Sequence, residues 1–280
     1  MLAGRSNVGK STLLNALVGS KVAIVTPKPQ TTRLPIRGIV HDPRGQIVFL
    51  DTPGIFLGKK DALSSTLNKA VRESFEGIDA VVYVIDPSRE PGPEEEFIQK
   101  LVKSSRKPTF LAINKSDLGP KRLPYLEEAR DIDVNQLATY EVSAVKHSNL
   151  NRLQEGIFAS LPEGEAYYPD KQITDLGHQQ WIEETIREKV FLALEKELPY
   201  TVKVTVDDVT FRKQGGRYIQ ATVWTTNDRY KRMIIGAGAA MIKKIGMLAR
   251  KELEAALDTQ VHLSLEVKVD ARWPEKFGLI

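Results

Sequence analysis

The stretch GRSNVGKS at positions 4–11 matches G-x-x-x-x-G-K-S in full, and the helix-forming run TLLNALVG follows it at once. Glycines let the main chain fold closely around phosphate, so that several N–H groups point inward at the start of a helix, where the helix dipole also favours an anion. Lys10 adds a point charge there and Ser11 a hydroxyl for Mg²⁺. The phosphate-binding residues expected are Gly4, Asn7, Val8, Gly9, Lys10, Ser11 and Thr12. A loop of this kind joins a strand to a helix, which predicts a P-loop NTPase, an α/β fold built on a doubly wound sheet. Only Met1, Leu2 and Ala3 precede Gly4, so the first strand is a stub: either the start lies too far downstream or part of the central strand is missing.

Outward from this loop, IVFLD (47–51), AVVYVID (80–86) and TFLAIN (109–114) are short apolar runs rich in β-branched residues. Each precedes loop and helical patterning, as buried parallel strands with crossover helices do. The first of them ends in Asp51-Thr52-Pro53-Gly54. In isolation that is an ordinary β-turn; placed after a phosphate loop, Asp51 can hold Mg²⁺ through water while the Gly54 N–H faces a γ-phosphate. Between the two, Pro29-Gln30-Thr31-Thr32-Arg33 forms a polar loop able to bring a hydroxyl to the metal, with Thr32 favoured over Thr31. The metal set is then Ser11, Thr32 and, through water, Asp51.

Asn114-Lys115-Ser116-Asp117 follows the strand TFLAI and selects the base. The Asp117 carboxylate can accept from guanine's N1–H and exocyclic amine, a pair that adenine does not present, and a mismatched buried polar group costs about 1–3 kcal/mol. Ser143-Ala144, after a strand ending at Val142, offers backbone N–H toward the base's O6. Phosphoryl transfer asks for charge neutralisation and an aligned water, which assigns the chemistry to Lys10, Thr32 and Gly54. The residue after Gly54 is Ile55, where Ras-like enzymes have a glutamine that positions water, so intrinsic hydrolysis is expected to be slow.

At 280 residues, 41% hydrophobic and 27% charged, the chain has room for two packed cores. Zero cysteines exclude disulfides and thiolate metal sites, and no apolar run approaches the roughly 18 residues that cross a bilayer. These features predict a cytoplasmic protein. The G domain is expected over 1–163 and a linker over 164–178, where prolines and glycines interrupt any apolar period. A second unit over 179–280 reads as helix (179–197), strands (201–206 and 218–224) across Gly215–Gly216, helices (229–235 and 240–257) and strand (261–269), the order αββααβ. From Arg229 to Lys251 there are seven basic residues and no acidic one. Trp224 and Trp273 are read as core or rim packing.

Together GRSNVGKST, PKPQTTR, DTPG, NKSD and VSA resemble the Era family of bacterial ribosome-assembly GTPases, and ELPYTVKV with IIGAGAAMIKKIGMLARKELE resembles that family's C-terminal type II KH domain. The resemblance implies GTP and GDP as ligands, Mg²⁺, and an RNA-gripping turn formed by Gly236, Ala237, Gly238 and Ala239 with Lys231, Arg232, Lys243 and Lys244. It also implies the 3′ end of small-subunit ribosomal RNA and the small ribosomal subunit as partners, under control of the GTP state, for a monomer with the inner face of the cell membrane as a peripheral station. Potassium-activated relatives suggest that K⁺ bound near Asn7 speeds turnover; the alternative is that Asn7 only braces the loop. The sequence departs from the family pattern at Ser6, usually proline, and in its GAGA turn, where a basic residue usually stands at Ala237 and glycine at Ala239. A methyl at Ala239 is expected to disfavour a positive φ. The competing reading is a non-catalytic RNA-binding adaptor with a vestigial nucleotide site; a tRNA-modification GTPase would lack the second half.

Overall fold

The computed structural model describes residues 1–55, 57, 62–211 and 215–276, only the backbone being described at 62, 63 and 276, and the chain divides into two compact units, Met1–Asp175 and Leu176–Ile280. In the first, β1 (Leu2–Ala3), α1 (Lys10–Val18), β2 (Ile36–Asp42), β3 (Gly45–Asp51), α2 (Ala62–Glu73), β4 (Val81–Ile85), α3 (Pro93–Ser105), β5 (Thr109–Ile113), α4 (Leu126–Arg130), β6 (Ala138–Glu141) and α5 (Leu150–Phe158) follow in turn. They build a six-stranded sheet of order β2-β3-β1-β4-β5-β6. Strands β3, β1, β4, β5 and β6 run parallel, and β2 pairs antiparallel with β3 from Ile36↔Asp51 to Asp42↔Gly45.

The stub β1 is the central strand, Leu2 pairing with both Asp51 and Val82. Alternate residues of each strand go to opposite cores. Val82, Val84 and Phe110 meet Leu13, Leu14 and Leu153 on one face, while Val81, Tyr83 and Leu111 meet Ile98 and Val102 on the other. A strand buried on both faces needs an unbroken apolar run, which is why these segments stand out in the sequence. Ligands of such sheets bind beyond the carboxyl ends of the strands, and the phosphate loop and the residues after β3, β4, β5 and β6 all lie there.

Composition marks 164–178 as a linker, but its residues up to 175 belong to the first unit. Ile39 N donates to Ile173 O at 2.9 Å, Thr174 bridges Gly38 in antiparallel fashion, and Thr174 Oγ1 donates to Arg37 O at 2.7 Å. The physical cause is the open edge of β2, whose unpaired main-chain groups are satisfied by a segment with two consecutive β-branched residues. The boundary thus falls at Asp175 rather than over the whole stretch.

The second unit has the expected order: α6 (His178–Ala193), β7 (Lys203–Phe211), β8 (Arg217–Thr225), α7 (Asp228–Ile235), α8 (Ala240–Leu257) and β9 (Val261–Val269), with a last turn α9 (Trp273–Lys276). Its sheet has the order β7-β8-β9, antiparallel then parallel. Ile182, Ile186 and Val190 of α6 and Ile245, Ala249 and Leu253 of α8 recur every four residues and form one core with Val204, Ile219 and Val223. The helix predicted to reach 197 ends at Ala193, where extended Leu194 and then Leu198 turn into that core. Gly215 and Gly216 both have positive φ, as the predicted turn requires; residues 212–214 and 277–280 lie outside the described residues.

Candidate nucleotide site and basic turn

The phosphate loop is held in the shape an anion needs by close backbone approaches. Gly4 has φ +154° and an added Cβ would lie 2.4 Å from Val84 O; Gly9 has φ +97° and its Cβ would lie 2.4 Å from Asn114 Nδ2. No other residue type fits at either position. Lys10, 6% exposed, lies under the loop with Nζ 2.8 Å from Gly4 O and 3.0 Å from Arg5 O. Burial lowers its pKa to about 8, against the pull of Asp51 and Glu95. A cavity of about 630 Å³ opens above, lined among others by Asn7, Lys10, Ser11, Thr12 and Thr32.

Three oxygens converge beside it. Ser11 Oγ donates to Asp51 Oδ2 at 2.6 Å and lies 3.0 Å from Thr32 Oγ1, which is itself 3.4 Å from Asp51 Oδ2. Thr31 is engaged elsewhere, its hydroxyl 2.6 Å from that of Thr26, and Thr32 is the threonine beside Ser11 and Asp51. Asp51 is fully buried, burial raises its pKa, and its Oδ1 makes no hydrogen bond. An all-oxygen donor set around an orphaned carboxylate oxygen fits a hard cation such as Mg²⁺. Among the described residues no group of three or more His, Cys, Asp or Glu is placed to hold a metal ion.

Asn114, at the end of β5, braces rather than reads. Its Nδ2 donates to Val8 O at 2.9 Å and its Oδ1 accepts from Ala144 N at 3.1 Å, tying the phosphate loop to the loop after β6. Ser143 Oγ donates to Asp117 Oδ1 at 2.5 Å and holds that carboxylate in place. Here the expectation needs correction: Ala144 N is committed to Asn114, and Ser143 N donates to Ser148 O at 3.2 Å, so neither amide is offered to a base. A polar side chain at a strand end competes for nearby amides, which spacing alone does not disclose.

Sequence reasoning missed the support of this site. Lys115 Nζ is 2.5 Å from Asp86 Oδ2, the residue that ends AVVYVID. Arg5 pairs with buried Glu95 at 3.2 Å and donates to Glu90 O and Arg89 O, and Arg89 Nη1 donates to Ser6 O at 3.2 Å. Tyr83 donates to Glu95 in turn. The one available signal was the placement of Asp86 at a strand's carboxyl end; Glu95 lies on a helix of ordinary charge pattern. Asn7 has φ 65°, and its Nδ2 donates to Pro27 O at 2.7 Å.

In the second unit Asn227 caps α7, accepting from Tyr230 N at 2.9 Å, and α7 ends at Gly236, φ 73°. A 3₁₀ turn Ala237–Ala239 leads into α8, and Ala239 itself sits at φ 62°. The methyl group anticipated as a hindrance is thus held in the left-handed region. Lys231 is half-buried, whereas Arg232, Lys243, Lys244, Ala237 and Gly238 are exposed around the turn. Trp273 is buried with Nε1 donating to Thr201 O, and half-buried Trp224 donates to Thr205 Oγ1, both packing roles.

Comparison with known proteins agrees with this geometry. Residues 1–115 match the family model described as 50S ribosome-binding GTPase, and residues 197–274 match the KH domain. GTPase Era of Halothermothrix orenii is 42% identical over 99% of this chain and 94% of its own length. GTPase Era of Heliobacterium modesticaldum is 41% identical over 98% and 92%. Among solved structures, Era in complex with MgGDPNP and nucleotides 1506–1542 of 16S ribosomal RNA superimposes with a TM-score of 0.91 at 36% identity, covering 99% of this chain and 94% of that one. A point variant of Aquifex aeolicus Era bound to GDP and AlF₄⁻ gives 0.91 at 35%, with the same coverage.

Proposed function

The chain belongs to the Era family of GTPases, and from that membership we propose that it is a GTP-hydrolysing switch that binds the 3′ end of small-subunit ribosomal RNA during assembly of the small ribosomal subunit. The observation that carries the enzymatic half is the convergence of Ser11, Thr32 and Asp51 beside buried Lys10. Ser11, Thr32 and, through water, Asp51 would hold Mg²⁺, which would supply positive charge to the phosphates. Lys10 and the loop amides neutralise the charge that develops as water attacks the γ-phosphorus and the bond to GDP breaks. Gly54 N–H faces the γ-phosphate, and Asp117, fixed by Ser143, accepts from guanine.

RNA binding is supported by the seven basic residues about the GAGA turn, where Ala237 and Gly238 are exposed. An RNA oligonucleotide with the 3′-terminal sequence of 16S ribosomal RNA, titrated with a non-hydrolysable GTP analogue or with GDP, tests this. Tighter binding with the analogue, lost on Lys243→Glu with Lys244→Glu, supports the reading; equal weak binding in both states counts against it.

Two finer elements belong to the same proposal. We propose that K⁺ binds near Asn7 and speeds turnover, the Asn7 Nδ2 donating to Pro27 O and leaving its carbonyl oxygen for the ion; equal turnover in K⁺ and Na⁺ would remove it. The protein is proposed to act as a cytoplasmic monomer in peripheral contact with the inner membrane face. Among the described residues no helix is long and apolar enough to cross a membrane. Sedimentation of the purified chain and flotation with anionic vesicles test these two points.

A further inference from the structure

We propose that Arg89 is a catalytic residue whose guanidinium neutralises charge on the γ-phosphate and the β–γ bridging oxygen during hydrolysis, an inference that rests on the GTPase reading of this site. Arg89 follows β4, on the loop that leaves the carboxyl end of the sheet, and its side chain is exposed and lines the cavity. Its Nη1 donates to Ser6 O at 3.2 Å; among the described residues the guanidinium has no further hydrogen-bond partner and no ion pair. Lys115 and Lys10 line the same cavity but are committed. Lys115 is paired with Asp86 at 2.5 Å, and Lys10 is turned to Gly4 O and Arg5 O. Most of the Arg89 N–H donors are left for a ligand.

Position decides which end of the nucleotide this cation serves. A Cβ built on Gly54 would lie 2.6 Å from both Ser6 N and Ser6 Cα, so Ser6 stands against the turn assigned to the γ-phosphate, while the base is assigned to Asp117. A guanidinium anchored on Ser6 O is therefore at the γ-phosphate end. The main chain beneath it is held: Arg89 N donates to Asp86 O at 3.4 Å and Arg5 Nη2 to Arg89 O at 3.3 Å, with Arg5 paired to buried Glu95 at 3.2 Å. A planar guanidinium can give two parallel N–H bonds to a phosphate, which outweighs its bond to one neutral carbonyl, so the exposed head turns to a bound triphosphate. Ile55, which follows Gly54, is 1% exposed and has no polar side-chain atom to share that task. In the step itself the water oxygen bonds to the γ-phosphorus, the bond to the β–γ bridging oxygen breaks with its electron pair leaving on GDP, and the water proton passes to a γ-phosphoryl oxygen. Arg89 donates hydrogen bonds to the bridging oxygen and a γ-oxygen as charge gathers there, and keeps its protons.

Arg89→Ala and Arg89→Gln test this, the second because its amide can still donate to Ser6 O but carries no charge. Single-turnover GTP hydrolysis, GDP affinity and the affinity for GDP with AlF₄⁻ are measured on the full chain. Turnover is expected to fall about 100-fold in both variants, GDP affinity to stay within about threefold, and the fluoride complex to weaken in step with turnover. Arg89→Gln as active as wild type overturns the proposal, and so does GDP affinity falling as far as turnover, since Arg89 would then only brace the loop through Ser6. Wild-type protein that releases no phosphate overturns the GTPase reading and this role together, whereas an active wild type matched by Arg89→Ala overturns this role alone.

Discussion

Burial sets the protonation of Lys10, and a pH dependence follows from it. Free, the ammonium titrates at about 8; a bound diphosphate favours the charged form and raises that value. Below pH 8 both states are protonated and affinity is flat. Above it the free protein loses a proton that binding must recover, so GDP affinity should fall by up to about tenfold per pH unit, seen in calorimetric titrations from pH 7 to 9.5. For the nucleotide-free fold the sign is opposite: the unfolded chain holds more protons between about pH 8 and the ordinary lysine value of 10.5, so this group makes stability rise across that window. At Asp117 the substitution to Asn replaces a charged acceptor of two N–H groups, which should cost guanine nucleotides about 3 kcal/mol, or ~150-fold in affinity. Xanthine nucleotides, with a carbonyl in place of the amine, should gain. Ala239→Gly removes a Cβ from the left-handed region and should stabilise the second unit by about 1 kcal/mol in urea unfolding.

Among the elements, β2 shows how far sequence reading reaches. Its strand IRGIVHD is broken by Gly38, so its period is hidden and the antiparallel edge is not foreseen. The glycine is there because β2 lies on α1: a Cβ would meet Leu14 Cδ1 at 2.6 Å and Val18 Cγ2 at 2.8 Å. Gly38→Ala should therefore destabilise the first unit by about 1–3 kcal/mol, read from the urea midpoint. Strands β3, β4 and β5 were legible because burial on both faces demands continuous apolar runs. The phosphate loop, Asp51, Thr32 and Asp117 stand out as candidates in the sequence because phosphate and base each impose residue type and spacing. Arg5, Arg89 and Glu95 do not, since a supporting network is made of contacts between segments some 85 to 90 residues apart and leaves no local pattern. The edge pairing of 168–175 was hidden for the same reason, its partner lying more than 120 residues away.

For the molecule as a whole, a net charge of only +4 conceals a stretch of seven basic residues without an acidic one. Both units carry the features of an Era GTPase, the first with its phosphate loop and cavity and the second with its basic turn. The orphaned Asp51 oxygen and the depressed Lys10 describe a site built to be completed by a nucleotide and its metal. The most direct test is release of labelled phosphate from [γ-³²P]GTP by the full chain in Mg²⁺, beside Lys10→Ala and with excess unlabelled ATP as competitor. Slow but saturable release is predicted, insensitive to ATP and at least about 100-fold lower in the variant. Release equal in both proteins, or none from wild-type protein that is folded, would contradict the account.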